Sequence, residues 1–175
     1  MRAAQPDTLT LDRIPTPIGV ALVVTDEAGV LRAFDWTDYE PKMAARIDRK
    51  YPSAKKVEGR GALRPAFDAY FAGEIEALER VAWDGAGTAF QGEVWRALCD
   101  IPAGETISYA VLAQRIGRPT AVRAVGLANG SNPVALVVPC HRVIGSNGSL
   151  TGYGGGLHRK RWLLEHEGAA APLAA

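Results

Sequence analysis

The most informative segment of the chain is Asn132-Pro133-Val134-Ala135-Leu136-Val137-Val138-Pro139-Cys140-His141-Arg142-Val143-Ile144-Gly145. Its apolar, β-branched run from Ala135 to Val138 predicts a short buried strand. Pro139 ends this strand, because proline has no N–H to donate to a neighbouring strand and its φ is fixed. Cys140 is therefore expected at the rim of a core.

A cysteine at such a position is either an inert apolar side chain or a nucleophile. His141 favours the nucleophile, because an imidazole beside a thiol can take its proton directly or through one water molecule. Arg142 adds a positive charge that would stabilise the thiolate. The acidic residues C-terminal to Cys140 are Glu165 and Glu167, and one of them is the natural carboxylate to orient His141.

The segments around this motif form a wider pattern. They are Phe90 to Trp95, Ile101 to Thr106, Ser108-Tyr109, Arg123-Ala124-Val125-Gly126, Thr151-Gly152-Tyr153-Gly154-Gly155-Gly156-Leu157 and Leu163 to Gly168. Together with Pro139–Gly145 they strongly resemble the O6-alkylguanine-DNA alkyltransferases, which repair alkylated guanine. The resemblance covers residues 88–168, and upstream only Thr16–Gly19 and Tyr70–Glu74 match weakly.

The resemblance implies transfer of a methyl or larger alkyl group from guanine O6 to the sulfur of Cys140. It implies that Glu167 orients His141 and that Tyr109 donates its phenol proton toward guanine N3. The product is a thioether, which has no activated carbonyl for water to attack, so one turnover per molecule is expected. No cofactor and no metal ion is expected; some relatives carry zinc in the first domain, but residues 1–89 contain neither Cys nor His.

The resemblance also implies a partner, double-stranded DNA that contains O6-alkylguanine, bound in the minor groove without strong sequence preference. Arg123 is expected to fill the space left by a flipped nucleotide, or alternatively to contact a phosphate. The other expected DNA-binding residues are Thr120, Ala121, Ala124, Ala128, Asn129 and Arg142. The expected substrate pocket contains Asn132, Val143, Tyr153, Gly154 and Gly155, and a main-chain amide, here that of Gly154, faces guanine O6.

The distribution of charge is compatible with this partner. The net charge is only +1, yet no Asp or Glu occurs from Thr106 through Leu164. Seven basic residues lie in that interval: Arg115, Arg118, Arg123, Arg142, Arg159, Lys160 and Arg161. A surface of this kind suits a polyanion. A Gly/Ala/Val-rich core segment with a few solvated arginines would give the same pattern.

Composition argues against several other classes. The chain has no apolar run near the length of a membrane span and no signal-peptide layout at its start, so a cytoplasmic protein is expected, nucleoid-associated when acting on DNA. The two cysteines, Cys99 and Cys140, give neither a disulfide framework nor a zinc-ligand spacing. A monomer in solution, with cooperative binding on DNA left open, is the expected state.

The chain is expected to contain an α/β N-terminal domain over residues 1–86, a mostly α C-terminal domain over residues 87–168, and a disordered tail over residues 169–175. The N-terminal pattern predicts a small antiparallel sheet with helices, and the resemblance implies a ribonuclease H-like arrangement. Predicted strands cover Thr8–Ile14, Val20–Val24 and Val30–Trp36, and predicted helices cover Pro41–Lys50 and Ala62–Ala72.

In the C-terminal domain, Thr88 and Gln91 form a capping-box pattern at the start of a helix. Two short helices follow, one over Ser108–Ile116 and one beginning at Pro119 or Thr120, with the spacing of a helix-turn-helix. The glycine-rich segment after Thr151 is interpreted as a pocket lid. A last helix is predicted over Leu157–Glu167.

Two other functions are compatible with some of these features. A thiol hydrolase could use Cys140, His141 and Glu167, although neither an oxyanion-hole motif nor a protease signature is visible and adjacent Cys and His are unusual for such sites. A non-catalytic module that recognises alkyl lesions would share the DNA-binding residues. Relatives of that kind lack the cysteine, which this chain retains.

Overall fold

The computed structural model describes residues 5–170, and part of the predicted tail, residues 171–175, lies outside the described residues. The chain divides into two compact units, Met1–Ala86 and Gly87–Ala175. The first unit combines a sheet with helices, and the second is mostly helical. Within residues 5–170, none of the helices combines the length and the apolar character needed to cross a membrane.

The sheet of the first unit has four strands in the order β3-β2-β1-β4. Their bounds are Thr8–Thr16 for β1, Gly19–Asp26 for β2, Leu31–Trp36 for β3 and Lys55–Glu58 for β4. The three predicted strands form an antiparallel meander. The fourth pairs parallel to β1, so the sheet is mixed, and the prediction of an antiparallel sheet was wrong in this respect. Sequence missed β4 because its side chains are polar and mostly exposed.

Two helices complete the first unit. They are α1, Glu40–Lys50, and α2, Arg64–Phe71, close to the predicted ranges. The apolar side of α1 buries Met43 and Ile47 against the sheet, and the Phe67 ring of α2 stacks on Phe34 with centroids 5.6 Å apart. These aromatic and aliphatic side chains therefore serve the core of this unit.

The second unit contains helices α3 to α6. Their bounds are Ala89–Cys99 for α3, Tyr109–Arg115 for α4, Val122–Gly130 for α5 and Leu157–His166 for α6. The capping box between Thr88 and Gln91 is present at the start of α3. Two short strands, β5 (Ile107–Ser108) and β6 (Val143–Ile144), pair in parallel. This pairing places the start of α4 beside the residues that follow Cys140.

The second of the two predicted short helices begins later than expected. Residues 119–121 form a turn, in which the amide of Ala121 donates to the carbonyl of Arg118, and α5 begins only at Val122. Thr120 and Ala121 therefore precede the helix that carries Arg123. A proline at position 119 is compatible with the turn as well as with a first helical residue.

The strand predicted over Ala135–Val138 is absent. The segment is a buried loop in which Leu136 has a φ of 71° and the amide of Val138 donates to the carbonyl of Val134. The Asn132 side chain accepts from the amide of Val134 and donates to the carbonyl of Val138. Apolar β-branched residues indicate burial. Here the Asn132 side chain provides the backbone hydrogen bonds that a neighbouring strand would otherwise provide.

Candidate active site and DNA-facing surface

Cys140 lies at the start of a single 3-10 turn, Cys140–Arg142, directly after the buried loop. The thiol is buried, with 5% of the residue exposed. Burial raises the pKa of the Cys140 thiol, while a hydrogen bond from Asn132 and the positive charge of Lys160 act in the opposite direction. The surroundings therefore keep the thiol protonated unless a base assists its ionisation.

His141 and Glu167 form a buried pair. The Nε2 atom of His141 lies 2.9 Å from Oε1 of Glu167, and both side chains are fully buried. With Nε2–H donating to the carboxylate, Nδ1 of His141 carries the lone pair that can accept a proton. Among the described residues this Nδ1 atom has no hydrogen-bond partner. His141 is thus held in the tautomer that a general base requires.

Arg142 fixes the other side of the same carboxylate. Its Nε atom donates to Oε2 of Glu167 at 2.9 Å and its Nη2 atom to Oε1 at 3.0 Å, while Nη1 donates to the carbonyl of Ile101 at 2.6 Å. Burial works to raise the pKa of Glu167, but His141 and Arg142 outweigh it and hold that pKa well below its usual range. Glu167 is therefore ionised.

Arg142 is buried, and its guanidinium donates hydrogen bonds to Glu167 and to the carbonyl of Ile101. The prediction that Arg142 contacts DNA is wrong because the residue is buried. The prediction that its charge stabilises the Cys140 thiolate is wrong because the Glu167 carboxylate already neutralises that charge. Lys160 is the cation whose charge acts on the thiol.

The predicted DNA-binding residues divide into two groups. Arg123 and Ala124 are exposed on the first turn of α5, and Thr120 and Ala121 lie at least partly exposed in the turn before it. These four residues lie within positions 120–124, and each is at least partly exposed to solvent. Leu127, one turn further along α5, is 73% exposed.

Two of the predicted DNA-binding residues instead face the interior. Ala128 is buried, and its carbonyl accepts a hydrogen bond of 2.9 Å from Nε1 of Trp95. Asn129 is also buried, with Nδ2 lying 3.5 Å from the carbonyl oxygen of Cys140. Their predicted side-chain contacts with DNA are wrong, because this face of α5 packs on α3 and on the turn that carries the cysteine.

A cavity of about 790 Å³ lies between α5 and the glycine-rich segment. It is lined by Tyr109, Val122, Arg123, Gly126, Leu127, Gly130, Gly152, Tyr153 and Gly154. The hydroxyl of Tyr109 donates to the carbonyl of Thr151 at 3.3 Å, and burial raises the pKa of this phenol. Of the predicted pocket residues, Tyr153 and Gly154 line the cavity. Val143 and Gly155 are buried and do not line it. Asn132 instead donates to the carbonyl of Val138 in the loop before Cys140.

Comparisons with known proteins agree with this arrangement. Residues 89–169 match the family model for the DNA-binding domain of 6-O-methylguanine DNA methyltransferase. The methylated-DNA–protein-cysteine methyltransferase of Shigella flexneri is 45% identical over 161 residues, which is 90% of this chain and 94% of that protein. The enzyme of the same name from Salmonella typhimurium is 47% identical over the same shares. The chain belongs to the O6-methylguanine-DNA methyltransferase family.

Solved structures of family members give the same result. The crystal structure of the Mycobacterium tuberculosis O6-methylguanine methyltransferase has 45% identity and a TM-score of 0.76, covering 94% of this chain and 96% of that one. A structure of the M. tuberculosis protein in complex with DNA has 44% identity and a TM-score of 0.76, over 91% and 92%. The methyltransferase from Pyrococcus kodakaraensis, at 24% identity and a TM-score of 0.74, shares the fold.

Sequence reasoning missed the roles of two residues in this family member, Arg159 and Lys160. The sequence predicts both to be solvated, on a basic surface or as isolated charges, and both are buried. The available signal was helical spacing, since Lys160 precedes Leu163 and Leu164 by three and four residues and so lies on their buried face. The basic surface is smaller than predicted also because Arg118 pairs with Glu93.

The remaining candidates for chemistry add little to this methyltransferase site. Cys99 is exposed, and its Sγ lies 3.5 Å from the carbonyl oxygen of Trp95. In the part of the chain that the structure describes, no group of three or more His, Cys, Asp or Glu side chains could hold a metal ion. The candidate reactive centre therefore consists of Cys140 and the buried His141–Glu167 pair.

Proposed function

We propose that this protein repairs DNA by moving an alkyl group, such as methyl, from guanine O6 in a duplex to the thiolate of Cys140. This is the reaction of a methylated-DNA–[protein]-cysteine S-methyltransferase that acts once per molecule. The observation that carries the proposal is the buried His141–Glu167 pair directly beside Cys140, with Nδ1 of His141 available as a base. The names of the relatives support the same activity.

The reaction balances with the groups present. His141 takes the thiol proton of Cys140 through one water molecule, and Glu167 stabilises the resulting imidazolium. The thiolate forms a bond to the alkyl carbon as the bond from that carbon to O6 breaks. The electron pair of the broken bond stays on guanine, which takes up the proton that the thiol gave up. When the base is bound, the Tyr109 hydroxyl turns from the Thr151 carbonyl, to which it donates in this structure, and its hydrogen bond to N3 stabilises the charge that develops on the ring.

Several finer features belong to the same proposal. The lesion nucleotide rotates out of the duplex into the cavity beside α5, at a cost of a few kcal/mol. Arg123 enters the space left behind, while Thr120, Ala121 and Ala124 approach the minor groove. Their small side chains permit close approach without reading the sequence. The amide of Gly154 faces guanine O6, and the carbonyls of Cys140 and Val143 face the guanine amino group.

The remaining expectations complete the proposal. Helices α4 and α5 act as a helix-turn-helix, and the first unit is a ribonuclease H-like supporting domain. The protein is a cytoplasmic monomer that associates with the nucleoid when it acts on DNA. DNA as the partner is supported by the match of residues 89–169 to a DNA-binding domain.

Intact-protein mass spectrometry after incubation with a duplex that contains O6-methylguanine tests the proposal. The expected result is a stoichiometric gain of one methyl group on Cys140, absent in Cys140→Ser and retained in Cys99→Ser. Methylation of Cys99 instead would overturn the assignment. An unmodified protein that still binds the lesion would replace it with a lesion-recognition module, and turnover of a thioester or peptide would indicate a thiol hydrolase.

A further inference from the structure

Helix α6 carries two adjacent buried cations on the side of the glycine-rich segment. Lys160 is fully buried, and Arg159 is 4% exposed. Successive residues of a helix point about 100° apart, so the two side chains reach different places. In this case they reach the two ends of one segment, Thr151–Gly155.

Lys160 holds the first end. Its Nζ atom donates to the carbonyl of Thr151 at 2.9 Å and to the carbonyl of Val143 at 2.6 Å. Thr151 also accepts the hydrogen bond from the hydroxyl of Tyr109. The ammonium group of Lys160 thus links the start of the segment to β6, which follows the turn Cys140–Arg142. Through the shared Thr151 carbonyl it is also connected to the Tyr109 phenol, which lines the cavity.

Arg159 holds the second end. Its Nη1 atom donates to the carbonyl of Gly155 at 3.0 Å, and Gly155 is buried. Between the two anchors lie Gly152, Tyr153 and Gly154, which line the cavity. Residues 151–153 have no regular secondary structure, so side-chain anchors of this kind determine where the cavity wall stands.

A buried ammonium is costly unless it is compensated. Within residues 5–170, Lys160 forms no ion pair with a carboxylate, and its hydrogen-bond partners are two main-chain carbonyls. Burial lowers the pKa of Lys160 to about 8, an effect that the negative charge of an ionised Cys140 opposes. A smaller apolar residue would fold at less cost, so this lysine is better explained by the two main-chain carbonyls that it joins, those of Thr151 and Val143.

We propose that Arg159 and Lys160 are positioning residues that clamp the two ends of the segment 151–155 and thereby set the space available to the alkyl group. This inference rests on the proposed alkyl transfer, because it names what limits the substrates of that reaction. A clamped wall suits a methyl group. If either end is released, the wall moves outward. A methyl group is then less well aligned with the thiolate and reacts more slowly, whereas a larger alkyl group gains space.

The first test needs no activity. Hydrogen–deuterium exchange of the amides in residues 152–155 is compared in the wild type, Arg159→Met, Lys160→Met and Arg161→Met. Arg161 is the half-buried neighbour on the same helix and serves as the matched control. Exchange is expected to rise about tenfold in the first two variants and to stay unchanged in the third. Equal exchange in all four proteins would overturn the clamp.

The second test measures specificity. Single-turnover rates are measured on duplexes that contain O6-methylguanine or O6-benzylguanine. In Arg159→Met the methyl rate is expected to fall about tenfold and the benzyl rate by less, whereas Arg159→Lys, which can still donate to Gly155, keeps the wild-type ratio. A parallel fall of both rates would contradict a role in specificity. A wild type without transfer would refute the proposed function, and the exchange experiment would still decide the clamp.

Discussion

The Nε2 atom of His141 lies 2.9 Å from Oε1 of Glu167, and neither side chain has exposed area. Arg142 donates to both oxygens of the same carboxylate. One carboxylate therefore serves two buried partners: it holds the His141 ring and neutralises the Arg142 guanidinium. Removing its charge affects both chemistry and stability.

We expect Glu167→Gln to slow alkyl transfer about a hundredfold, because the amide no longer stabilises the imidazolium of His141. The same change leaves Arg142 buried without its counter-charge, so the free energy of unfolding should fall by about 3 kcal/mol. Single-turnover kinetics and urea unfolding measure the two effects. Glu165→Gln is the matched control, since Glu165 lies two residues earlier, in the last turn of α6, and is exposed. Similar rates for both variants would exclude the role of Glu167.

The pH dependence of the reaction should report on Lys160. Its charge opposes the burial that raises the pKa of the Cys140 thiol. Lys160→Met removes that charge, so the pKa of the Cys140 thiol should rise further. The increase of the transfer rate with pH should then occur at higher pH than in the wild type, and the rate at pH 7 should fall roughly tenfold. Rates measured between pH 6 and 10 test this. A lower rate with an unshifted profile would indicate a purely structural role.

The lowered pKa of Lys160 should also make the free energy of unfolding depend on pH in a defined direction. Burial lowers the pKa of Lys160 from 10.5 to about 8. Between these values the unfolded chain binds more protons than the folded one, so the free energy of unfolding gains an upward contribution as the pH rises from 8 to 10.5. Urea unfolding across this window should show that contribution in the wild type and not in Lys160→Met. Identical pH dependences would show that Lys160 titrates normally.

Part of the site followed from the sequence because its residues are local or lie in recognisable motifs. His141 is adjacent to Cys140, and the closing Glu-Gly of the last helix pointed to Glu167. Glu165 and Glu167 lie two residues apart, about 200° around the helix axis, so only one of them can face the core. From the residues alone either could, and the structure shows Glu167 buried and Glu165 exposed.

Other features escaped because a polar or charged residue type does not show whether main-chain carbonyls will receive its hydrogen bonds in the interior. Lys160 and Arg159 are expected to be solvated, on a basic surface or as isolated charges, yet the main-chain carbonyls of Val143 and Gly155 receive their hydrogen bonds. Asn129 was assigned to DNA, yet it packs beneath the cysteine turn. Strand β4 was missed because an edge strand with exposed side chains carries little apolar alternation.

Arg123 should matter for duplex DNA and not for the chemical step. It is exposed on α5 at the mouth of the cavity. Arg123→Ala should slow transfer from an O6-methylguanine duplex roughly a hundredfold, because nothing fills the space left by the flipped nucleotide. Reaction with free O6-benzylguanine should stay near the wild-type rate, and stability should change by less than about 0.5 kcal/mol. Arg96→Ala, at another exposed arginine, should leave both rates unchanged; equal losses on both substrates would contradict the assignment.

Two glycines of the cavity wall should differ in their tolerance of a side chain. Gly152 has a φ of 54°, in the left-handed region, and a Cβ atom there would lie 3.8 Å from the Tyr109 hydroxyl. Gly154 has no such φ, and its Cβ would meet nothing within 4 Å. Gly152→Ser should therefore cost about 1–2 kcal/mol of stability and slow transfer by displacing the wall, whereas Gly154→Ser keeps its amide and should behave as the wild type. Urea unfolding and single-turnover rates compare them, and a larger loss in Gly154→Ser than in Gly152→Ser would contradict the importance of the backbone strain at Gly152.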